Sequence, residues 1–510
     1  MSFKIFKTNK LPLIIFALLF CLGVFLRVWQ ISSIPPGLSW DEASIGYNSW
    51  SVLQSGKDEW GENLPLHFQA FGEWKLSVYI YSVLPFIKIL GLNPLAVRLP
   101  SIIAGILSAV VFGTTWYKMK GLRIGLAASL LFLFSFWSFS LSRAAFEANL
   151  AVFIFLLAIL SILYKKYTFS VILFAALMYT YNGFRVFLPL FLLCISLVYF
   201  KKLINKKGLV LVSVFIILML PLARFVLANR SAMLRFEQVT SSGSSSFLTN
   251  YVAHFQPQFL LTKGDDNLRH FPGKTGQFSW LATALAFSGL FFLIKKKGLL
   301  EKYEVLVLIG LLISPIPAAI TDQSPHSLRS INFFLAWIFL ATIGYSYLEI
   351  EFKKWTKAKK LLALALVPVL LLQYGYFYFD YFTDYKTRSL TDWQVGYRQI
   401  FTDKALLDFD GPVFVTTSQI QPYIFYLFYQ PQLVSSISND VAPPSLWHQS
   451  RLSRIKNFYF INDQGLKNYI DSRQHGVYAV DSKQKDLIPN GTEFETISVD
   501  GIAMFYTFEI

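Results

Sequence analysis

Residues 11–48 read LPLIIFALLFCLGVFLRVWQISSIPPGLSWDEASIGYN. The first 20 of them, residues 11–30, form one apolar run. That is the length needed to cross a hydrocarbon core, since about 20 helical residues span one bilayer. The run is longer than a signal-peptide core, and no small-x-small cleavage pattern follows it. It is expected to be a retained first span. A short link then delivers two adjacent carboxylates, Asp41 and Glu42. Two acids at the mouth of a membrane helix need a reason, and the rest of the chain has to supply it.

The 510 residues are 54% hydrophobic and only 15% charged, with a mean hydropathy of +0.48. Soluble domains carry about 25% charged residues. Apolar runs recur along the chain, and lipid cannot hydrogen-bond a bare backbone, so each is expected to be helical. The net charge of +16 does not indicate nucleic acid. Its lysines cluster between apolar runs, at Lys4 to Lys10, Lys118 to Lys120, Lys165 and Lys166, Lys201 to Lys207, Lys295 to Lys297 and Lys353 to Lys360. That spacing is the positive-inside pattern of membrane proteins. The two cysteines, Cys21 and Cys194, lie inside apolar runs and support neither a disulfide framework nor a cysteine metal site.

Assigning the lysine clusters to the cytoplasm predicts eleven spans, near 11–30, 94–116, 122–140, 149–164, 168–181, 186–200, 208–227, 279–294, 303–320, 329–349 and 361–379. The N-terminus falls inside and the C-terminus outside. Counting 76–92 as a span would turn every later lysine cluster outward, so it is expected to be interfacial or re-entrant. Residues 1–379 therefore form a membrane domain with a first outer loop at 31–93 and a large one at 228–278. SSGSSS at 241–246 reads as a flexible loop tip. From residue 380 the charge balance reverses: the tail holds 15 acids and 11 bases, against 15 and 35 before it. The β-like stretches GPVFVTT (411–417), NFYFIN (457–462), GVYAVDS (476–482) and GIAMFYTFEI (501–510) predict a small extracytoplasmic α/β domain at 380–510.

Polar residues assigned to the outer rim are the candidates for chemistry, because ionisable groups at membrane depth are costly and usually functional. They are Asp41, Glu42, His67, Glu73 and Lys75; Arg143, Glu147 and Asn149 in SRAAFEANL; Tyr179, Tyr181, Asn182 and Arg185 in YTYNGFRVF; His254; Asp265, Asp266, Arg269 and His270 in KGDDNLRHFPGKTG; and Asp322, His326 and Arg329 in TDQSPHSLRS. A carboxylate can deprotonate an acceptor within hydrogen-bond reach. Cations can hold a phosphate leaving group and offset the charge it develops. One base with several cations at a membrane rim suits glycosyl transfer from a lipid-linked phosphosugar. Simpler readings exist: Asp41 and Glu42 as a charge pair at a helix N-terminus, Lys75 as a snorkelling lysine, Arg143 as the i,i+4 partner of Glu147.

The ordered series SWDE, FGEWKLSVYIY, NPLAVRLPSIIAG, SRAAFEANL, HFQPQFLLTKGDDNLRH and PIPAAITDQSPHSLRS resembles the GT-C integral-membrane glycosyltransferases. The likeness is to the protein O-mannosyltransferase and lipid A aminoarabinose transferase group, over roughly residues 11–350. The resemblance implies an inverting transferase in the plasma or inner membrane, using a polyprenyl-phosphate sugar on the extracytoplasmic face. It implies a catalytic pair, with Asp41 as general base and Glu42 shaping the acceptor site, and a donor phosphate held by Lys75, Arg143, Arg269 and Arg329. Glu73, His270, His326 and Tyr181 become substrate-binding candidates. No cofactor is required; Asp265 and Asp266 are the candidates should a divalent metal bind. Partners are the lipid donor, membrane lipids and a protein, lipid or glycan acceptor, with no nucleic acid. The alternatives are a transporter or flippase of lipid-linked sugars, and an oligosaccharyltransferase; a WWD-like motif expected of the latter is missing from the tail.

Overall fold

The computed structural model describes residues 10–203, 205–229, 244–296, 299–433 and 452–510. Helices lie at all eleven positions where the sequence predicts spans. Among the described residues, six are individually long and apolar enough to cross a membrane: Leu11–Val28, Pro94–Lys120, Lys206–Ala228, Lys302–Ala319, Ile331–Lys354 and Lys357–Phe382. A seventh is broken. Leu122–Leu133 and Phe136–Ser142 meet at a 57° bend. Four more positions hold shorter apolar helices, including Glu147–Leu163 and Trp280–Lys295, and Ser77–Leu90 is a further short one. The chain is an integral membrane protein. Leu11–Val28, Lys206–Ala228 and Lys357–Phe382 bury only 11%, 6% and 11% of their apolar windows within the protein, so lipid must cover the rest.

The membrane core gathers around Trp116, Trp137, Phe132, Phe334 and Trp337. Helices Trp280–Lys295 and Ile331–Lys354 approach through glycines: a Cβ on Gly289 or Gly344 would collide with the Leu340 or Leu285 carbonyl. Small residues permit such close backbone approach where lipid removes the hydrophobic drive for helix association.

The first outer loop is structured. Helix Trp40–Ser55 is followed by a hairpin of β1 (His67–Ala70) and β2 (Glu73–Leu76), paired antiparallel with Phe68 opposite Lys75. Its two-residue turn, Phe71-Gly72, has φ of 54° and 78°, the left-handed pair that tight hairpins demand. In the tail, β3 (Val413–Thr416), β4 (Arg454–Ile455), β5 (Phe458–Ile461), β6 (Val477–Asp481), β7 (Phe494–Val499) and β8 (Ile502–Glu509) form one sheet in the order β4-β5-β3-β6-β8-β7. β3 is parallel to both β5 and β6; the outer pairs are antiparallel. β3, β5, β6 and β8 fall on the four β-like stretches of the sequence. One buried cluster joins Leu38, Tyr47, Tyr79 and Val97 to Trp393, Tyr397, Tyr423 and Val413, so the sheet and the first outer loop share a core across residue 379. SSGSSS is not simply a loop tip: residues 241–243 lie outside the described residues, and Ser244 opens the helix Ser244–Ala253.

Gly344→Val should cost roughly 3 kcal/mol through overpacking. The expected outcome is a large fall in the detergent-solubilised unfolding temperature, with Gly310→Ala, whose added Cβ meets only Ala336 at 3.8 Å, nearly unchanged.

Candidate active site

Ser39 caps the Trp40–Ser55 helix. Its hydroxyl accepts the Glu42 N–H at 3.3 Å, and Glu42 Oε2 accepts the Ser39 N–H at 3.4 Å. Successive helical residues project about 100° apart. Asp41 and Glu42 therefore cannot share a face, and their environments diverge.

Glu42 turns inward. Arg98 donates to Oε1 from Nε at 2.9 Å and to Oε2 from Nη2 at 3.0 Å, and the Ala145 N–H donates to Oε1 at 2.9 Å. Arg98 also donates to the carbonyls of Ile31 (3.0 Å), Pro35 (3.2 Å) and Gly37. Both side chains are buried. With its oxygens taken by Arg98 and the Ala145 N–H, Glu42 clamps the loop.

Asp41 turns outward and keeps 37% of its side chain exposed. Lys75 Nζ forms a close ion pair with its Oδ1, and Arg269 Nη1 stands 3.8 Å from its Oδ2. Lys75 is buried by β2, with Glu73 3.9 Å from its ammonium and the Phe71 ring 5.4 Å away. Arg269 lies over the Trp40 ring at 4.4 Å. Three segments distant in sequence thus bring Asp41, Glu73, Lys75 and Arg269 together. Glu147 is within electrostatic reach of both Lys75 and Asp41.

Arg143 does not join them. Nη1 donates to the Leu26 and Arg27 carbonyls at 2.8 Å, and Nη2 to Trp29 at 2.7 Å and Ile34 at 2.8 Å. The side chain is fully buried, under Phe139, Tyr381 and Phe382. It stitches the end of the first helix in place, whereas the sequence expectation put it at the donor phosphate. Arg329 donates to Thr321 Oγ1 at 2.8 Å, and Tyr181 donates to the Leu328 carbonyl at 3.0 Å; both belong to a second cluster behind the first.

That cluster centres on Asp265. Its Oδ2 accepts from Ser327 N at 2.7 Å and Oγ at 2.6 Å and lies 3.4 Å from His270 Nδ1; its Oδ1 accepts the Asn267 N–H at 2.9 Å. The His270 and His326 rings are 4.6 Å apart. Burial alone would raise the Asp265 carboxyl, but hydrogen bonding and charge from His270, charge from His326 and the Ser327 hydrogen bond hold it well below the usual carboxylate range. Burial pushes His326 well below its ordinary value and His254 down to about 4. His254 Nε2 accepts the His326 N–H at 3.3 Å while its Nδ1 contacts the Asn250 carbonyl at 2.9 Å. Asp265, His270 and His326 each present a ligand atom within 4.8 Å of the others, a set able to hold a metal ion. Asp266 is not in it: its carboxylate is exposed and paired with Lys263 at 2.5 Å.

Arg98 and Trp40 were not singled out from the sequence. Arg98 carried a usable signal, a lone cation inside an otherwise apolar helix. Trp40 carried none, since its role depends on where Arg269 arrives.

No protein-family model matches the chain, and no curated protein sequence does. Solved structures do. ArnT from Cupriavidus metallidurans matches in its apo state with a TM-score of 0.59 at 11% identity, and bound to undecaprenyl phosphate with 0.58 at 10%, each over 98% of both chains. The Archaeoglobus fulgidus oligosaccharyltransferase in complex with Zn and sulfate matches with 0.52 at 11% identity, over 94% of this chain and 74% of that one. The chain has the GT-C glycosyltransferase fold. At these identities the likeness is one of architecture, and the roles of single residues rest on the geometry above.

Glu42→Gln should cost about 3–5 kcal/mol, because it leaves the Arg98 charge buried without its partner. Thermal unfolding in detergent should show the larger loss for Glu42→Gln, and a smaller one for Asp41→Asn, where the buried Lys75 keeps Glu73 at 3.9 Å. Stability should also depend on pH. An unfolded imidazole titrates near 6.5, whereas His254 in the fold takes a proton only at about 4. A depressed pKa means stability is intact above pH 6.5 and is lost as pH falls toward 4. Roughly 3 kcal/mol should go across that window, and His254→Gln should flatten the dependence.

Proposed function

We propose that the chain is a membrane glycosyltransferase that moves a sugar from a polyprenyl-phosphate donor to an acceptor on the extracytoplasmic face, with inversion. The observation that carries this reading is the convergence of Asp41, Lys75 and Arg269 from three separate segments. The GT-C fold supports it, as does the fact that one structure sharing that fold is ArnT bound to undecaprenyl phosphate. All eleven helical positions serve as spans in this reading, with the N-terminus cytoplasmic and both Asp41 and the C-terminal sheet outside.

The chemistry follows from the charges. With no donor bound, Asp41 is neutralised by Lys75, and Arg269 waits near it. An incoming lipid phosphate competes for both cations. As they turn to the phosphate, the Asp41 carboxylate is released to accept hydrogen bonds from the acceptor. The acceptor oxygen attacks the anomeric carbon from the side opposite the phosphate, and its proton passes to Asp41. The bond from that carbon to the phosphate oxygen breaks, and its electron pair leaves with the phosphate. Lys75 and Arg269 offset the developing charge, so a strong general acid is unnecessary. Glu73, 3.9 Å from Lys75, restrains the ammonium. His270 lies one residue beyond Arg269 and, with His326 and Asp265, braces the loop that carries it.

In reconstituted protein given a polyprenyl-phosphate hexose, Asp41→Asn should slow release of lipid phosphate by about 10²–10⁴-fold, the contribution of a positioned base. Lys75→Ala should raise the donor KM as well as lower kcat. Turnover of Asp41→Asn at the wild-type rate would remove the base assignment.

A further inference from the structure

The C-terminal sheet has a feature that the transfer chemistry does not use. β3 continues into the helix Pro422–Tyr429, whose residues pack with Val413 and Val415 on one face. β6 lies beside β3 and parallel to it, but continues into the turn Ser482–Leu487, whose Leu487 packs with Phe414 and Tyr478 on the other face. Parallel neighbours whose chains leave to opposite faces open a crevice at their carboxyl ends, the place where open α/β sheets bind ligands.

This crevice is lined with hydrogen-bonding groups. Gln419 Nε2 donates across it to Asp481 Oδ2 at 2.5 Å. The amide oxygens of Gln419 and Gln421 are both buried and, among the described residues, have no hydrogen-bond partner. Gln421 is only 3% exposed. An unpaired buried acceptor costs about 1–3 kcal/mol, so two on one short loop point to a ligand that supplies donors.

The crevice is also tied to the catalytic helix. Gln394 donates from Nε2 to the Gln419 and Ile420 carbonyls, the latter at 3.1 Å, and its Oε1 accepts the Trp40 N–H at 2.8 Å. Trp40 is the residue before Asp41. Asp392, two residues before Gln394, is within electrostatic reach of Arg269 and His270 on one side and Lys483 on the other.

We propose that the crevice between the carboxyl ends of β3 and β6 is the acceptor subsite, and that the acceptor presents carbohydrate there, its ring hydroxyls donating to the Gln419 and Gln421 amide oxygens and to Asp481. This rests on the transferase reading above. Asp463 adds a third acid beside Asp392 and Asp481, accepting from Thr416 Oγ1 at 3.3 Å and Gln484 Nε2 at 2.7 Å, and this excess of acceptors disfavours a phosphate. A polyhydroxylated ring meets amide and carboxylate acceptors with several donors at once. An extended peptide would instead add to an open sheet edge through its backbone.

The test uses the full-length protein in nanodiscs with a polyprenyl-phosphate hexose as donor. Neutral glucose, galactose and N-acetylglucosamine oligomers serve as acceptor probes, and a mixed-sequence peptide rich in serine and threonine as the rival. Release of lipid phosphate reports the transferase reading, and saturation-transfer NMR reports oligosaccharide binding. The expected result is that at least one oligosaccharide binds and is glycosylated, with its Kd raised tenfold or more in both Gln419→Ala and Gln421→Asn. The second variant keeps an amide and suits the left-handed backbone, φ 56° at that residue. The first guards against loop unfolding in the second. Equal binding by wild type and Gln419→Ala would overturn the subsite, as would transfer to the peptide with no oligosaccharide bound. Absence of lipid-phosphate release with every acceptor, while an oligosaccharide still binds at Gln419, would instead fail the transferase reading.

Discussion

The ion pair between Arg98 and Glu42 organises the face of this protein on which the first span ends. Arg98 rises from a membrane helix and meets Glu42 in the first turn of the Trp40–Ser55 helix. Its remaining donors take the carbonyls of Ile31, Pro35 and Gly37, the irregular backbone that joins the first span to that helix. Such a segment has no ladder of its own, and each buried carbonyl needs a donor. One guanidinium supplies three of them and a counter-ion for Glu42 as well. Because Glu42 is held inward, Asp41 is set toward the rim.

Arginines in this chain therefore divide by what surrounds them. Arg27, Arg98 and Arg143 are fully buried: Arg98 and Arg143 bind backbone carbonyls at the end of the first span and its sequel, and Arg27 binds the Leu133 carbonyl at the break between Leu122–Leu133 and Phe136–Ser142. A planar fork with five donors suits that task better than an ammonium. Lys75 and Arg269 instead face a partly exposed carboxylate, that of Asp41. The same charge is locked among carbonyls in one setting and paired with a partly exposed carboxylate in the other. Exposure is the difference: the Arg143 guanidinium is wholly buried with both Nη atoms donating to carbonyls, whereas the Asp41 carboxylate that holds Lys75 is 37% exposed.

The C-terminal sheet is bound to this arrangement and does not hang free. Trp393, Tyr397 and Tyr423 continue the core of the first outer loop, and Gln394 reaches the backbone beside Asp41. The sheet is thereby fixed against the first turn of the helix that carries Asp41.

The sequence by itself determined the broad architecture. Apolar runs of spanning length, separated by lysine clusters, locate the helices, and β-like stretches after residue 380 mark four strands of the sheet. These are local properties, written in hydropathy and period. Asp41, Lys75 and Arg269 were also legible as candidates, because charged residues beside apolar spans are few. Only the tertiary structure decided their division of labour. Glu42 and Arg143 read as equals of Asp41 and Lys75 in the sequence, yet one is clamped by Arg98 and the other is spent on four carbonyls. The pairing of Asp265 with His270 and His326, and not with its neighbour Asp266, was equally hidden. Whether an ionisable group is free or used depends on which backbone groups arrive beside it from distant segments. Hydrogen-bond demand in an irregular buried turn is a property of the fold, and no spacing along the chain records it.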